Sequence, residues 1–128
     1  MPLERIQPDG LARLPLFTQV VKAGNTVYIA GQPAIDSHGQ LVGPGDITTQ
    51  ATQVFENINI ALQSVGATFD NLVKMTIFAT NRAYLAPIAE VRAKYLGRPD
   101  PVTSTFVEVS GLAWPEMLLE IESVAVLE

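Results

Sequence analysis

Two carboxylates near the carboxyl terminus are the chain's first candidates for chemistry. Residues 118–126 have the sequence LLEIESVAV, which is typical of a strand, and a strand alternates its side chains between two faces. Glu120 and Glu122 therefore lie on one face, which they share with Leu118 and Val124. A carboxyl group in an apolar cleft has a raised pKa, so it can exchange protons with a substrate or a water near neutral pH.

The same pattern also has a purely structural interpretation. A charge in the middle of a strand costs desolvation free energy unless it reaches water or a partner. A solvated sheet face would satisfy Glu120, Glu122 and the similarly placed Glu108 of FVEVS. An interfacial ion pair with Lys74 or Arg92 would do so as well. From the residues alone, both interpretations stay open.

Other catalytic constellations lack the residues that they need. The one histidine, His38, lies in the sequence SHGQ, and the chain has no cysteine. A zinc site or a Ser-His-Asp triad is therefore not expected, no metal is predicted, and His38 is predicted to be a turn residue. The glycines of GQLVGPGD lack the Lys-Ser/Thr ending of a phosphate-binding loop, so this stretch is predicted to be an ordinary loop.

The composition indicates one globular domain over residues 1–128, the whole length of the chain. Hydrophobic residues make up 48% and charged residues 16% of the sequence, against a typical charged fraction of about 25%. Surplus apolar surface of this kind is commonly buried between subunits, so an oligomer is expected.

Charge and hydropathy also limit the partners and the location. The net charge of -5 would repel a phosphate backbone, so nucleic acid is not an expected partner. No apolar run approaches the roughly 20 residues that span a bilayer, so no membrane association is expected. The amino terminus has acids and prolines where a signal peptide has an apolar core, and a cytoplasmic protein is therefore expected.

Hydrophobic periodicity and turn signals predict an α+β fold. Helices are predicted from an N-cap at Asp46 to Gly66, and from near Pro87 to Gly97. Strands are predicted over residues 17–23, 26–31, 71–80, 102–109 and 117–127. The apolar strand 71–80 is expected to be buried on both faces. Two helices can cover only one face of the resulting mixed sheet, so another subunit is expected to cover the other.

Four stretches together resemble the Rid (YjgF) family, in the family's order and spacing, from about Arg5 to Val126. They are TVYIAGQPAID, TQATQVFENINIALQSVGA, NLVKMTIFAT and STFVEVSGLAWPEMLLEIESVAV. The resemblance implies a chorismate-mutase-like domain that forms a homotrimer, with small-molecule clefts between adjacent subunits. Deaminating members of the family hydrolyse enamine and imine intermediates to 2-keto acids and ammonia without a cofactor, so no cofactor is expected here.

The resemblance also implies a set of site residues. Glu120 corresponds to the family's cleft glutamate, which positions or activates the attacking water, and is the candidate catalytic residue. Gly31 corresponds to the backbone that approaches the ligand. The remaining predicted substrate-binding residues are Phe17, Ser104, Thr105 and Phe106.

The resemblance is incomplete where the family binds a carboxylate. Deaminating members have an arginine at the position of Ser104, and its two-pronged hydrogen bond to a carboxylate cannot be reproduced by serine. Phe17 replaces a tyrosine, Ala30 a serine found in many members, and Ala89 an asparagine. The chain therefore resembles a subgroup that lacks the carboxylate-binding arginine, and its cleft is expected to be more apolar.

Three functions follow as hypotheses. The first is an enzyme that adds water to a small imine, enamine or related electrophile, with a changed substrate choice and Glu120 as proton shuttle. The second is a trimeric module that binds a small metabolite without chemistry. The third is a ribonuclease or translation inhibitor, which the acidity and the single histidine disfavour. A Glu120 that titrates abnormally and faces an open cleft would favour the enzyme; a salt-bridged, enclosed Glu120 would favour binding alone.

Overall fold

A computed structural model describes residues 2–98 and 102–128 as one six-stranded sheet with two α-helices. The helices are α1 (Ile47–Gln63) and α2 (Leu85–Tyr95). The strands are β1 (Leu3–Ile6), β2 (Val20–Ala23), β3 (Thr26–Pro33), β4 (Leu72–Ala79), β5 (Thr103–Glu108) and β6 (Leu119–Val126). Their order is β1-β2-β3-β6-β4-β5, with β4 and β5 parallel and the other neighbours antiparallel. The predicted α+β architecture with a mixed sheet is confirmed.

Local signals explain both helices. Asp46 is the N-cap of α1, as predicted, because its carboxylate accepts a hydrogen bond from the Thr49 amide at 3.1 Å. This bond also holds the pKa of Asp46 below its usual range. Helix α1 buries a continuous apolar face against the sheet. Helix α2 begins two residues before Pro87 and buries Ile88 and Val91.

The sheet differs from the prediction at its first edge. Strand β1 was not predicted, because the short sequence LERI has no clear alternation; it pairs with β2. Strand β2 begins at Val20, three residues later than predicted, and Phe17 lies in the preceding loop. Residues 15–17 form a turn and a bend in which Leu16 has a φ of 80°, so extended backbone begins only after Phe17.

The two faces of the sheet differ in what covers them. Strand β6 directs Leu119, Ile121 and its other alternate residues into the buried core beneath the helices. No helix of the described residues covers the opposite face, which we call the open face. The prediction that β4 is buried on both faces is therefore wrong for a single chain, since Lys74 is exposed there. None of the helices in residues 2–98 and 102–128 has the length and apolar character needed to cross a bilayer.

Candidate functional site

A β-bulge in β3 lies beside the two candidate carboxylates. Two residues of β3, Ala30 and Gly31, stand where the partner strand β6 has one residue, Glu122. A bulge of this kind shifts the alternation of the strand and redirects its side chains. Gln32, the next residue, consequently faces the core, where it is buried. The bulge was not predicted, although a glycine inside a strand, here Gly31 of IAGQ, is a sequence signal for such an irregularity.

Gly31 leaves the space that the Glu120 side chain occupies. A Cβ atom added to Gly31 would overlap the Oε1 atom of Glu120 and would lie 2.8 Å from its carboxyl carbon. The carboxylate thus lies directly over the Gly31 backbone, a position that any larger residue would obstruct. The structure therefore brings together Glu120 and Gly31, two of the residues predicted for the site.

The surroundings of Glu120 favour its protonated form more than water does. The side chain is half-buried, and this burial, followed in importance by the negative charge of Glu122, raises the pKa of Glu120. Within residues 2–98 and 102–128 the one ion pair joins Lys22 to Glu4, at 3.9 Å. Glu120 is therefore not neutralised by a cation of that part of its own chain.

Glu108 and Glu122 have different surroundings. Glu108 ends β5, and its carboxylate accepts a hydrogen bond from the Arg82 amide at 2.8 Å, so it stabilises the short 3-10 turn of residues 82–84. Glu122 is exposed on the open face. Of the three carboxylates considered in the sequence, Glu120 alone is half-buried, whereas Glu108 and Glu122 are exposed.

A depression of about 400 Å³ lies on the open face next to the bulge. Tyr28, Ala30, Lys74, Thr76 and Glu122 are among the residues that line it. Glu120 does not line it, because Glu120 lies two residues before Glu122 in β6, where it is paired with Phe78 of β4. The depression and the Glu120 carboxylate are therefore neighbouring features of the same face.

The predicted substrate-binding residues of β5 do not share one face. Ser104 and Phe106 pair with buried residues of β4 and so lie on the helix side of the sheet, where Phe106 packs against the main core. Thr105 lies on the open face, opposite Thr76. Phe17, in the loop before β2, is 49% exposed. One chain alone does not bring these four side chains around Glu120.

Arg92 is the polar residue of this region that sequence reasoning did not place in a site. Its guanidinium donates a hydrogen bond from Nη1 to the Ser104 hydroxyl at 3.0 Å. The contact joins α2 to β5 across the connection that contains the undescribed residues 99–101. Helical periodicity placed Arg92 on α2, but only the packing of α2 against the edge of the sheet brings it to Ser104.

The described residues offer no obvious metal site. Among residues 2–98 and 102–128, no group of three or more His, Asp or Glu side chains is close enough to hold a metal ion. His38 lies in a turn, as predicted, where its amide donates to the Asp36 carboxylate at 2.9 Å.

The six-stranded mixed sheet, with helices on one face and a glutamate above a glycine bulge, defines a small α+β domain of the chorismate-mutase-like type. Comparison with known proteins agrees: the family model described as "Endoribonuclease L-PSP" matches residues 10–127. The chain is 38% identical over 112 residues to a RutC family protein of Pyrococcus horikoshii, covering 88% of this chain and 87% of that protein.

Two further comparisons extend over nearly the whole chain. A protein of Dermatophagoides farinae named 2-iminobutanoate/2-iminopropanoate deaminase is 33% identical over 130 residues, covering 100% of both chains. The crystal structure of a Rid family protein of unknown function from Yersinia pestis has a TM-score of 0.91 and 30% identity, covering 98% of this chain and 100% of that chain. The chain therefore belongs to the Rid (YjgF) family, as the sequence predicted.

Proposed function

We propose that this protein hydrolyses small imines, or the enamines that tautomerise to them, to a carbonyl compound and ammonia. The proposal rests on the state of the Glu120 carboxyl group. This group is half-buried, its pKa is raised by that burial, and it lies over the backbone of Gly31. A glutamate with these properties can exchange protons near neutral pH. The deaminase name of the Dermatophagoides relative supports the same class of reaction.

The proposed reaction uses water and one proton relay. The Glu120 carboxylate accepts a proton from a water molecule while the water oxygen forms a bond to the imine carbon. Glu120 returns this proton to the nitrogen, which gives the amino alcohol. In a second relay Glu120 accepts the hydroxyl proton and passes it to the nitrogen while the carbon–nitrogen bond breaks, so that ammonia leaves as the carbonyl forms. No net proton is consumed by Glu120, and neither a covalent intermediate nor a redox step is needed.

The proposed site is shared between chains of a homotrimer. Ser104 and Glu120 lie on opposite faces of the sheet, and the order β6-β4-β5 places a strand between their own strands. A cleft that contains both therefore needs Glu120 from one chain and Ser104 from another. The open face supports an association of chains, because it exposes large apolar side chains such as Tyr28 (53%) and Val107 (36%). Phe17, Thr105 and Phe106 stay predicted lining residues of this cleft.

The lack of an arginine at residue 104 supports a substrate choice that differs from that of the arginine-bearing members. The ribonuclease hypothesis is disfavoured, because a net charge of -5 repels the phosphate backbone of RNA. The remaining alternative is a protein that binds a small metabolite without changing it. The experiment below distinguishes this alternative from catalysis.

The test is a competition between this protein and a chemical trap. An amino-acid oxidase generates imines from a series of amino acids, and semicarbazide traps what is not hydrolysed. We expect wild-type protein to lower the yield of semicarbazone. We expect Glu120→Gln to lower the rate by at least about 100-fold, the usual contribution of a general acid or base.

The matched control is Glu116→Gln, which removes an exposed carboxylate four residues away and should leave the rate unchanged. A Glu120→Gln variant as active as wild type would show that Glu120 is not the proton relay. No hydrolysis of any imine by wild-type protein, with an arginine-bearing relative active in the same assay, would overturn the proposal in favour of a binding module.

A further inference from the structure

A buried pair of glutamine side chains lies on the core side of the bulge in β3. Gln32 directly follows Gly31 and is 2% exposed, and Gln19, in the loop before β2, is 4% exposed. We infer that the Gln32 amide is a positioning group, which holds the bulge in the form that places the Glu120 carboxylate over Gly31. This role deepens the proposed function and rests on it, because Glu120 is the proposed proton relay.

The position of the Glu120 carboxylate depends on the backbone below it. The carboxylate occupies the space that a Cβ atom of Gly31 would fill. Burial and the negative charge of Glu122 act on this group, whereas no hydrogen bond within residues 2–98 and 102–128 fixes it. Its place is therefore set by the course of β6 and by the bulge on which it lies. A change in the bulge would move the surface that supports the carboxylate.

The bulge has backbone groups that the regular ladder does not bind. An extra residue disrupts the ladder of a strand pair, and the groups left out need other partners. Both groups of Ala30 find them in the glutamine pair. The Ala30 amide donates to the backbone carbonyl of Gln19 at 2.9 Å, and the Ala30 carbonyl accepts from Nε2 of Gln32 at 3.0 Å. The Gln32 side chain is therefore bonded to the backbone of the bulge, directly beside Gly31.

The second proton of the Gln32 amide fixes its orientation. A primary amide has two N–H donors, and the other one reaches Oε1 of Gln19 at 2.8 Å. Nε2 of Gln19 in turn donates to the Ala12 carbonyl at 3.0 Å. These bonds run from Ala12 through both glutamines to the bulge, and they hold the loop that contains Phe17 to the same support. Because both side chains are buried, loss of the Gln32 donors would leave two acceptors unpaired, which favours a local rearrangement.

Replacing Gln32 by methionine tests this role. Methionine has a similar length and fills the same space without an N–H donor. We expect the bulge to relax and kcat for imine hydrolysis to fall about 10- to 100-fold, since a displacement of about 1 Å can have an effect of that size. Glu120 should also become more solvated, so its pKa should fall. An NMR titration of isotope-labelled glutamate carboxyl groups measures this pKa, and Glu120→Gln identifies the signal.

The matched control is Val54→Ala, which removes two methyl groups from the buried face of α1. It lowers stability without removing a hydrogen bond of the bulge, so kcat and the pKa of Glu120 should stay as in wild type while urea denaturation reports the loss. Glu122 is present in all these proteins, so a change in the pKa of Glu120 reports the bulge and not that charge. Equal falls in kcat in Val54→Ala and Gln32→Met would overturn the positioning role in favour of general destabilisation.

The combination with Gly31→Ala gives a second readout. Both changes displace the same carboxylate, so their effects should not add, and the double variant should be about as slow as Gly31→Ala alone. Rate losses that multiply in the folded double variant would show that Gln32 acts elsewhere.

Gln19→Met is the variant to measure if Gln32→Met does not fold. It removes one acceptor of the Gln32 amide and keeps the bond from Gln32 to Ala30. We expect kcat and the pKa of Glu120 to fall in this variant too, by less than in Gln32→Met. A folded Gln19→Met protein in which neither quantity changes would count against the role of the pair.

The titration of Glu120 needs no substrate, so it separates failure of the positioning role from failure of the proposed function. If wild-type protein hydrolyses no imine, but the pKa of Glu120 falls in Gln32→Met and not in Val54→Ala, the positioning role stands and the proposed function fails. If wild-type protein is active, and a folded Gln32→Met protein has unchanged kcat and an unchanged pKa of Glu120, the positioning role is overturned and the proposed function stands.

Discussion

Replacing Gly31 by alanine should remove activity without removing the fold. The added Cβ atom would overlap Oε1 of Glu120 and lie 2.8 Å from its carboxyl carbon and 3.0 Å from its Cγ. These atoms belong to the free end of a flexible side chain, so the side chain can rotate away while the backbone stays in place. To regain normal contact distances the carboxyl group must move by more than about 1 Å, and displacements of this size can cost about 100-fold in rate.

The stability of Gly31→Ala should change little. The backbone of Gly31 does not have a positive φ, so alanine can adopt its conformation. A glycine-to-alanine change at a compatible position stabilises by about 0.4 to 1 kcal/mol through the unfolded chain, which offsets the cost of moving Glu120. We expect the free energy of unfolding to stay within about 1 kcal/mol of wild type.

The assay is the imine competition described above, run beside urea denaturation. Gly111→Ala is the matched control, because a Cβ atom there meets no atom within 4 Å. We expect kcat/KM to fall about 100-fold in Gly31→Ala and to be unchanged in Gly111→Ala. A folded Gly31→Ala protein with wild-type kcat/KM would refute the argument that the carboxylate must lie over this backbone. An unfolded one would show that Gly31 serves the fold.

Three further predictions concern single side chains. Glu122→Gln removes a charge that raises the pKa of Glu120, so the acidic limb of the kcat/KM profile should move to lower pH; an unmoved limb would contradict this. Ser123 has a buried hydroxyl for which the described residues provide no hydrogen-bond partner, so Ser123→Ala should raise the free energy of unfolding by about 1 kcal/mol in urea denaturation, and a destabilised variant would contradict it. The Tyr95 hydroxyl donates to Glu56 at 2.6 Å, and burial together with this carboxylate raises the pKa of Tyr95 to about 12; the favourable contribution of this phenol to stability therefore persists through neutral pH and is lost as the pH rises through about 12. In an alkaline absorbance titration, Tyr95→Phe should remove the latest phenolate transition, and an unchanged titration would contradict the assignment.

Local patterns in the sequence were sufficient for most of the fold. The Asp46 cap and the long apolar stripe defined α1, because a cap and a 3.6-residue period depend only on neighbouring residues. Strand β1 was missed because four residues of mixed character become a strand only by pairing with β2. The burial of β4 was overestimated because hydropathy does not distinguish a face covered by the same chain from one that another chain would cover.

The site was less predictable than the fold. Alternation placed Glu120 and Glu122 on one face correctly, but the bulge that brings Gly31 under Glu120 depends on the register between β3 and β6. The partnership of Arg92 with Ser104 depends on how α2 packs against the edge of the sheet, which no local pattern records. The sequence showed that residue 104 is a serine and not an arginine. It did not show that α2 places the guanidinium of Arg92 beside that serine.

A shared cleft has a consequence that can be measured by mixing two inactive variants. If each cleft takes Glu120 from one chain and Ser104 from another, Glu120→Ala chains and Ser104→Trp chains, in which the indole fills the Ser104 half of the cleft, can complete each other's defects. In trimers reassembled from equal amounts of the two, about one cleft in four receives both intact residues, so about a quarter of wild-type activity should return.

The control for this mixing experiment pairs two variants whose defects lie in the same half of the cleft. Glu120 and Gly31 are in contact within one chain, so every cleft of a Glu120→Ala and Gly31→Ala mixture keeps one defect and no activity should return. Recovery in this control, or none in the Glu120→Ala and Ser104→Trp mixture after confirmed subunit exchange, would contradict the shared site. Because both mixtures contain Glu120→Ala chains and differ only in the second variant, the comparison separates complementation from a general effect of reassembly.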